Sequence, residues 1–228
     1  MLIAIFPAKR MSASDLPSYI AVEGPIGVGK TSLANRLAET FGYETLLEPT
    51  AEHVLLERFY RDQRRHAFST QLFFLLHRAE QAAYLESQTR LQSPIVADFI
   101  LEKDRLFAEL TLDGEELRLY QQVAGALNIH WPQPDLVIYL QAPPRILFER
   151  VHRRGIEAES DCSIEYLTQV SQTYTNFFHR FELAPLLVVD ASECNFADVD
   201  RHFQALLECI HNMRGRRHYF RLNPSLLD

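Results

Sequence analysis

Apolar positions along the chain alternate between two patterns. Four short runs are continuous, Tyr19 to Val22, Ile95 to Ala97, Leu136 to Leu140 and Leu186 to Val189, and a fifth, Tyr43 to Leu47, is interrupted by Glu44 and Thr45. Between them apolar residues recur every three or four positions, as in Leu33, Leu37 and Phe41 before Gly42, which marks a helix with one buried face. The spacing predicts an arginine-rich helical region from Ala51 to about Arg65 and a long helix from about Phe68 to Leu91, ended by Ser93-Pro94. Further helical patterns cover about Leu101 to Leu127, interrupted at Asp113-Gly114, then a stretch opening at Pro143-Pro144, Ile164 to Phe181 and Phe196 to Met213. Strands that are continuously apolar and alternate with helices imply a parallel sheet covered on both faces. The expected architecture is one α/β domain with a five-stranded parallel sheet. Its limits are read as residues 19–213, with a loose arm at 1–18 and a basic, then polar, tail at 214–228.

The first run leads into the most informative stretch, Tyr19-Ile20-Ala21-Val22-Glu23-Gly24-Pro25-Ile26-Gly27-Val28-Gly29-Lys30-Thr31-Ser32. It matches G-x-x-x-x-G-K-[ST] with a strand before it and a helix after it, the context a phosphate-binding loop requires. Glycines at 24, 27 and 29 let the backbone curl with its N–H groups inward, and the helix start adds positive potential there. Gly24, Gly27, Val28, Gly29, Lys30, Thr31 and Ser32 are therefore the expected nucleotide-binding residues. Lys30 reaches the β- and γ-phosphates, and the Thr31 hydroxyl is placed to ligate Mg²⁺.

Composition narrows the partners. The chain has 228 residues, 47% of them hydrophobic and 23% charged, values typical of a soluble globular protein. Its net charge of −7 and lack of a long basic block disfavour nucleic-acid binding, and no apolar run is long enough to span a membrane. The three cysteines show no C-x-x-C spacing and read as free thiols in a reducing cytoplasm. The nine histidines show no metal-binding pairing. Only three lysines occur, Lys9, Lys30 and Lys103, which singles out the last two.

In an open parallel sheet, ligands sit beyond the carboxyl ends of the strands. Glu48 follows the second strand and Asp98 the third, so two carboxylates are expected near the phosphate loop. Together they suggest a Mg²⁺-linked acid and a base for phosphoryl transfer. Neither N-K-x-D nor D-x-x-G occurs, which argues against a guanine-nucleotide switch and for a kinase of small molecules.

The ordered set of phosphate loop, Glu48-Pro49, Tyr60, Gln71, Arg78, Asp98 and Glu165-Tyr166-Leu167 resembles the deoxyribonucleoside kinase family, its bacterial members in particular. The resemblance runs from about Tyr19 to Asp190. It implies a P-loop kinase with a short arginine-bearing lid at about 150–161, taking the γ-phosphate of ATP, with Mg²⁺, to the 5′-hydroxyl of a deoxynucleoside in nucleotide salvage. It further implies Glu48 as general base, Gln71 on the nucleobase edge, and Arg78 with Asp104 as a charged pair reading the base. Tyr60 and Glu159 would hold the 3′-hydroxyl, and Arg150 and Arg154 would close over the donor phosphates. Deoxyadenosine, deoxyguanosine or deoxycytidine is the implied acceptor, and a cytoplasmic homodimer formed through the long helices is the implied assembly.

Two positions depart from the family pattern. Phe99 stands where many members carry an arginine, and Lys103 is positioned in sequence to supply that charge. Ile156 stands where the lid usually carries a third arginine, with Arg150, Arg153 and Arg154 expected to suffice. Two alternatives stay open on the sequence: a nucleoside monophosphate kinase of the thymidylate kinase type, and a non-catalytic nucleotide-binding scaffold on the same fold.

Overall fold

The computed structural model describes residues 16–48, 54–91 and 93–223. Six strands, β1 (Tyr19–Glu23), β2 (Glu44–Leu46), β3 (Ile95–Ala97), β4 (Leu136–Gln141), β5 (Leu186–Asp190) and β6 (Arg217–Phe220), form one sheet in the order β2-β3-β1-β4-β5-β6. Every neighbouring pair is parallel. Successive side chains on a strand point to opposite faces, and Ile20, Ala21 and Val22 are all fully buried, so both faces of the central strand are covered.

Among the described residues, eight α-helices connect the strands: α1 (Lys30–Phe41), α2 (Val54–Arg61), α3 (Gln63–Leu91), α4 (Glu102–Thr111), α5 (Gly114–Leu127), α6 (Pro144–Arg154), α7 (Ile164–His179) and α8 (Asp200–Asn212). Helix α1 buries Leu33, Ala34, Leu37 and Ala38 and stops at Gly42, whose backbone N–H caps Ala38. The break expected at Asp113-Gly114 separates two helices. Asp113 caps α5 by accepting from the backbone N–H groups of Glu115 and Glu116.

Several boundaries differ from expectation for local reasons. Helix α3 starts at Gln63 rather than Phe68, because the Asp62 carboxylate accepts from Arg65 N at 3.2 Å and opens a new helix there. The last helix starts at Asp200 rather than Phe196, because Asn195 and Asp198 close a side-chain turn between them.

The sheet has six strands, not five. The sixth lies within the segment read as a tail and pairs with β5, Leu186 opposite Arg217 and Val189 opposite Phe220. Its sequence is too polar to read as a buried strand because it is an edge. Tyr219 is exposed, and the Arg217 guanidinium donates to Phe178 O at 2.9 Å and Phe181 O at 2.8 Å. The arm at 1–15 and Pro49 lie outside the described residues. Among the described residues, no helix is long and apolar enough to cross a membrane.

The chain leaves β1 to build β2 and β3 on one side and β4 to β6 on the other. The carboxyl end of β1, where the order switches, is the crevice at which such sheets bind ligands.

Candidate active site

The phosphate loop follows directly from β1. Gly24 has φ 152°, and a Cβ there would meet Leu140 O at 2.3 Å. Gly27 has φ 81°, and a Cβ would meet Val151 Cγ2 at 2.7 Å and Leu147 O at 2.9 Å. Close packing on β4 and α6 therefore demands glycine at both positions. Gly29 precedes the first turn of α1 in a left-handed conformation, which leaves the helix N-terminus open toward the crevice. Val28 is buried and Ser32 exposed, so Gly27, Lys30 and Thr31 are the nucleotide-loop residues that line the cavity.

Lys30 donates to Gly24 O at 2.8 Å and Pro25 O at 3.2 Å, arching back over the loop. Burial, assisted by the nearby Lys103 charge, lowers its pKa to about 8. Thr31 donates to Asp98 Oδ2, and Asp98 Oδ1 accepts from Glu48 N at 2.7 Å. Asp98 lies just past β3, beside β1 in the sheet, so adjacent strands deliver the carboxylate to the loop. The Thr31 hydroxyl and Asp98 carboxylate are hard oxygen donors in mutual contact, a pairing that suits Mg²⁺.

Glu48 is bracketed by two cations. Its Oε1 accepts from Arg78 Nη2 at 2.9 Å and its Oε2 from Lys103 Nζ. Burial opposes its charge, but Lys103 and Arg78 outweigh it and hold the pKa at about 2. Lys103, read from the sequence as a replacement cation, thus reaches the candidate base from the first turn of α4. The Phe99 ring lies 3.8 Å beneath the Arg78 guanidinium.

Arg78 and Asp104 form the expected pair, with Arg78 Nε 3.2 Å from both carboxylate oxygens and Nη2 3.0 Å from Oδ1. Burial opposes the Arg78 charge, but Asp104 and Glu48 raise its pKa above the ordinary value. Nη1 is taken by Gln81 Oε1 at 3.2 Å, and Gln81 donates to Leu47 O at 3.0 Å. Arg78 does not line the cavity; it sits behind the wall and fixes Asp104 and Glu48, which do. Gln71 lines the cavity, and its amide donates to Thr111 Oγ1 at 3.3 Å.

Tyr60 and Glu159 both line the cavity. Tyr60 packs edge-on against Phe59 and Tyr166, with ring centroids 5.5 and 5.9 Å away. Burial raises its phenol pKa well above the ordinary value. Glu159 ends a 3₁₀ turn at Glu157–Glu159 and is paired with Arg154.

The arginines of α6 do not act as a set. Arg154 lines the cavity, as does Ile156. Arg153 is exposed. Arg150 is outside the lining. Its Nη2 donates to Ala191 O at 2.9 Å and Ser192 O at 3.1 Å, so it pins the loop after β5 beside the phosphate loop.

The sequence reading assigned nothing to Glu23, the last residue of β1 and fully buried. It accepts from Gly24 N at 2.8 Å, Ile100 N at 3.0 Å and Tyr174 Oη at 3.0 Å. Burial raises its pKa. The carboxylate ties the start of the phosphate loop to the segment after Asp98 and to α7. A carboxylate ending an otherwise apolar central strand is the signal that marks it.

The deoxynucleoside kinase family model matches residues 20–213. The chain is 33% identical over 183 residues to the deoxyguanosine kinase of Bacillus subtilis, covering 78% of this chain and 88% of the relative. It is 29% identical over 203 residues to the deoxyadenosine kinase of Dictyostelium discoideum, covering 86% and 81%. In fold it is similar to the M. mycoides deoxyadenosine kinase with bound dCMP and dCDP, at TM-score 0.73 and 24% identity, over 86% of this chain and all of that one. With its phosphate loop, strand-end carboxylates and the cavity they line, the chain belongs to the deoxynucleoside kinase family.

Proposed function

We propose that this kinase moves the γ-phosphoryl group of ATP to the 5′-hydroxyl of deoxyadenosine, deoxyguanosine or deoxycytidine, with Mg²⁺ arriving on the donor. The observation that carries the reading is one cavity lined by Lys30, Thr31, Asp98, Glu48, Gln71 and Asp104, in which hydrogen bonds tie Glu48 to Asp98 through its backbone and to Asp104 through Arg78. Lys30 and the loop N–H groups would bind the β- and γ-phosphates, and Thr31 with Asp98 would hold Mg²⁺, which screens phosphate charge when bound. Gln71 and the Arg78-backed Asp104 would hydrogen-bond the base edge. Tyr60 and Glu159 would hold the 3′-hydroxyl and aim the 5′-hydroxyl at the donor.

Glu48 takes the proton of that hydroxyl. At a pKa of about 2 it is a weak base, so the proton leaves late, as the oxygen bonds phosphorus and becomes acidic. Lys103 and Arg78 keep the carboxylate ionised and aimed. Lys30 and Arg154 offset charge on the equatorial oxygens of the transferring group.

A coupled phosphorylation assay over the four deoxynucleosides and their monophosphates tests the reading. Turnover of deoxynucleosides supports it. Turnover of monophosphates alone would make the chain a monophosphate kinase, and none with either would leave a nucleotide-binding scaffold. The companion proposal of a homodimer through α3 and α5, which expose Leu76 and Leu119, is tested by sedimentation of the purified chain.

A further inference from the structure

Helix α6 ends at Arg154, followed by Gly155 at φ 66° and then the 3₁₀ turn that carries Glu159. Arg154 Nη2 donates to Oε1 of Glu159 at 2.9 Å and to Oε2 at 2.7 Å, so one nitrogen spans the whole carboxylate. The partners are unequally held. The Glu159 side chain is 6% exposed and that of Arg154 is 46% exposed. The backbone of Glu159 is fixed as well, its N–H donating to Ile156 O and its carbonyl accepting from Cys162 N, both at 3.0 Å. Glu159 is the anchor and Arg154 the arm that can swing. Both face the cavity that contains Lys30 and Glu48.

A buried carboxylate beside a phenol suits a sugar hydroxyl, but here both carboxylate oxygens are already engaged by the arginine. Each oxygen can still accept a second hydrogen bond, but a hydroxyl donating to Glu159 competes with Arg154 Nη2 for the carboxylate's charge and weakens that hold. We infer that the Arg154–Glu159 pair makes the lid arginine dependent on the acceptor: the sugar 3′-hydroxyl releases Arg154 from Glu159 and lets it turn to the donor phosphates. The inference rests on the acceptor reading of the cavity given above. Its consequence is that the donor is protected from water while no acceptor is bound. In that wasteful reaction a water oxygen bonds the γ-phosphorus and the bond to the β,γ-bridging oxygen breaks. Nucleoside diphosphate and inorganic phosphate result, and the water proton passes to solvent.

The test measures phosphate release from ATP with acceptor analogues that lack the attacking hydroxyl. The probes are the 5′-deoxy form of the best acceptor, which keeps the 3′-hydroxyl, and the 3′,5′-dideoxy form, each at saturation. Calorimetry establishes that each binds. The 3′-hydroxyl analogue is expected to raise phosphate release about fivefold or more, the lower range of allosteric couplings, and the dideoxy analogue to leave it unchanged. Glu159→Gln is expected to raise release without any analogue and to abolish the stimulation. Binding of the 3′-hydroxyl analogue with no stimulation, or equal stimulation by both, overturns the coupling alone. Failure of the 3′-hydroxyl analogue to bind overturns the acceptor reading and the coupling with it.

Discussion

The Lys103 ammonium donates to Oε2 of Glu48, 55 residues earlier in the chain, while Arg78 holds the other oxygen. Two cations on one carboxylate set both its charge and its direction.

If Glu48 accepts the 5′-hydroxyl proton, Glu48→Gln should lower kcat by about 10²–10⁴-fold, the usual range for losing a general base. Affinity for ATP, measured by calorimetry, should stay within a few-fold because Lys30 and the loop are untouched. Wild-type turnover in this variant would reduce Glu48 to a spacer between Arg78 and Lys103.

Lys103→Met should reduce kcat more than tenfold, since Glu48 keeps only one of its two partners. Lys103→Arg should recover part of that loss, because the charge returns with a different reach. Steady-state kinetics with a melting curve for each variant separates this from simple destabilisation.

Lys30 supplies a pH prediction. With its pKa lowered to about 8, it is largely deprotonated at pH 9 and protonated at pH 6.5. Donor phosphates favour the charged form, so ATP binding at pH 9 should take up a proton and binding at pH 6.5 should take up almost none. Calorimetry in two buffers of different ionisation enthalpy reads the difference. Equal enthalpies at pH 9 would contradict it.

Arg150 and Arg154 of α6 should separate kinetically. Arg154→Ala should lower kcat more than tenfold, since it removes a cavity-lining charge. Arg150→Ala should instead raise the KM for ATP and lower the melting temperature, because it frees the loop after β5. A kcat loss confined to Arg150→Ala would reverse the assignment.

The Arg78-backed carboxylate of Asp104 accepts hydrogen bonds, which favours a base with an exocyclic amine at that edge. Deoxyadenosine, deoxyguanosine or deoxycytidine should exceed thymidine in kcat/KM. A clear thymidine preference would refute this.

The phosphate loop was legible in the sequence because glycine spacing and a lysine are local properties. Glu48 and Asp98 were legible because parallel strands deliver their carboxyl ends to one edge. Arg78 and Asp104 were paired through the family resemblance, but nothing in their spacing revealed that Arg78 stands behind the cavity wall. Arg150 and Arg154 share one helix face at four-residue spacing, and only tertiary packing decides that one reaches carbonyls and the other the cavity. Strand β6 was missed because an edge strand needs no continuous apolar run. Glu23 was missed because its donors come from residues 100 and 174, remote in sequence.

Asp98 touches the two halves of the chemistry at once, the Thr31 hydroxyl through Oδ2 and the Glu48 backbone through Oδ1. The hydroxyl proposed to hold the metal and the main chain of the proposed base therefore hang from a common bracket. Asp98→Asn keeps the shape of that bracket only if its oxygen faces the Glu48 N–H and its amide donates to Thr31, so the hydroxyl turns from donor to acceptor. If the proposed roles hold, ion and base are not retuned independently at this position: a change that suits a different divalent cation also acts on the main chain from which the base projects.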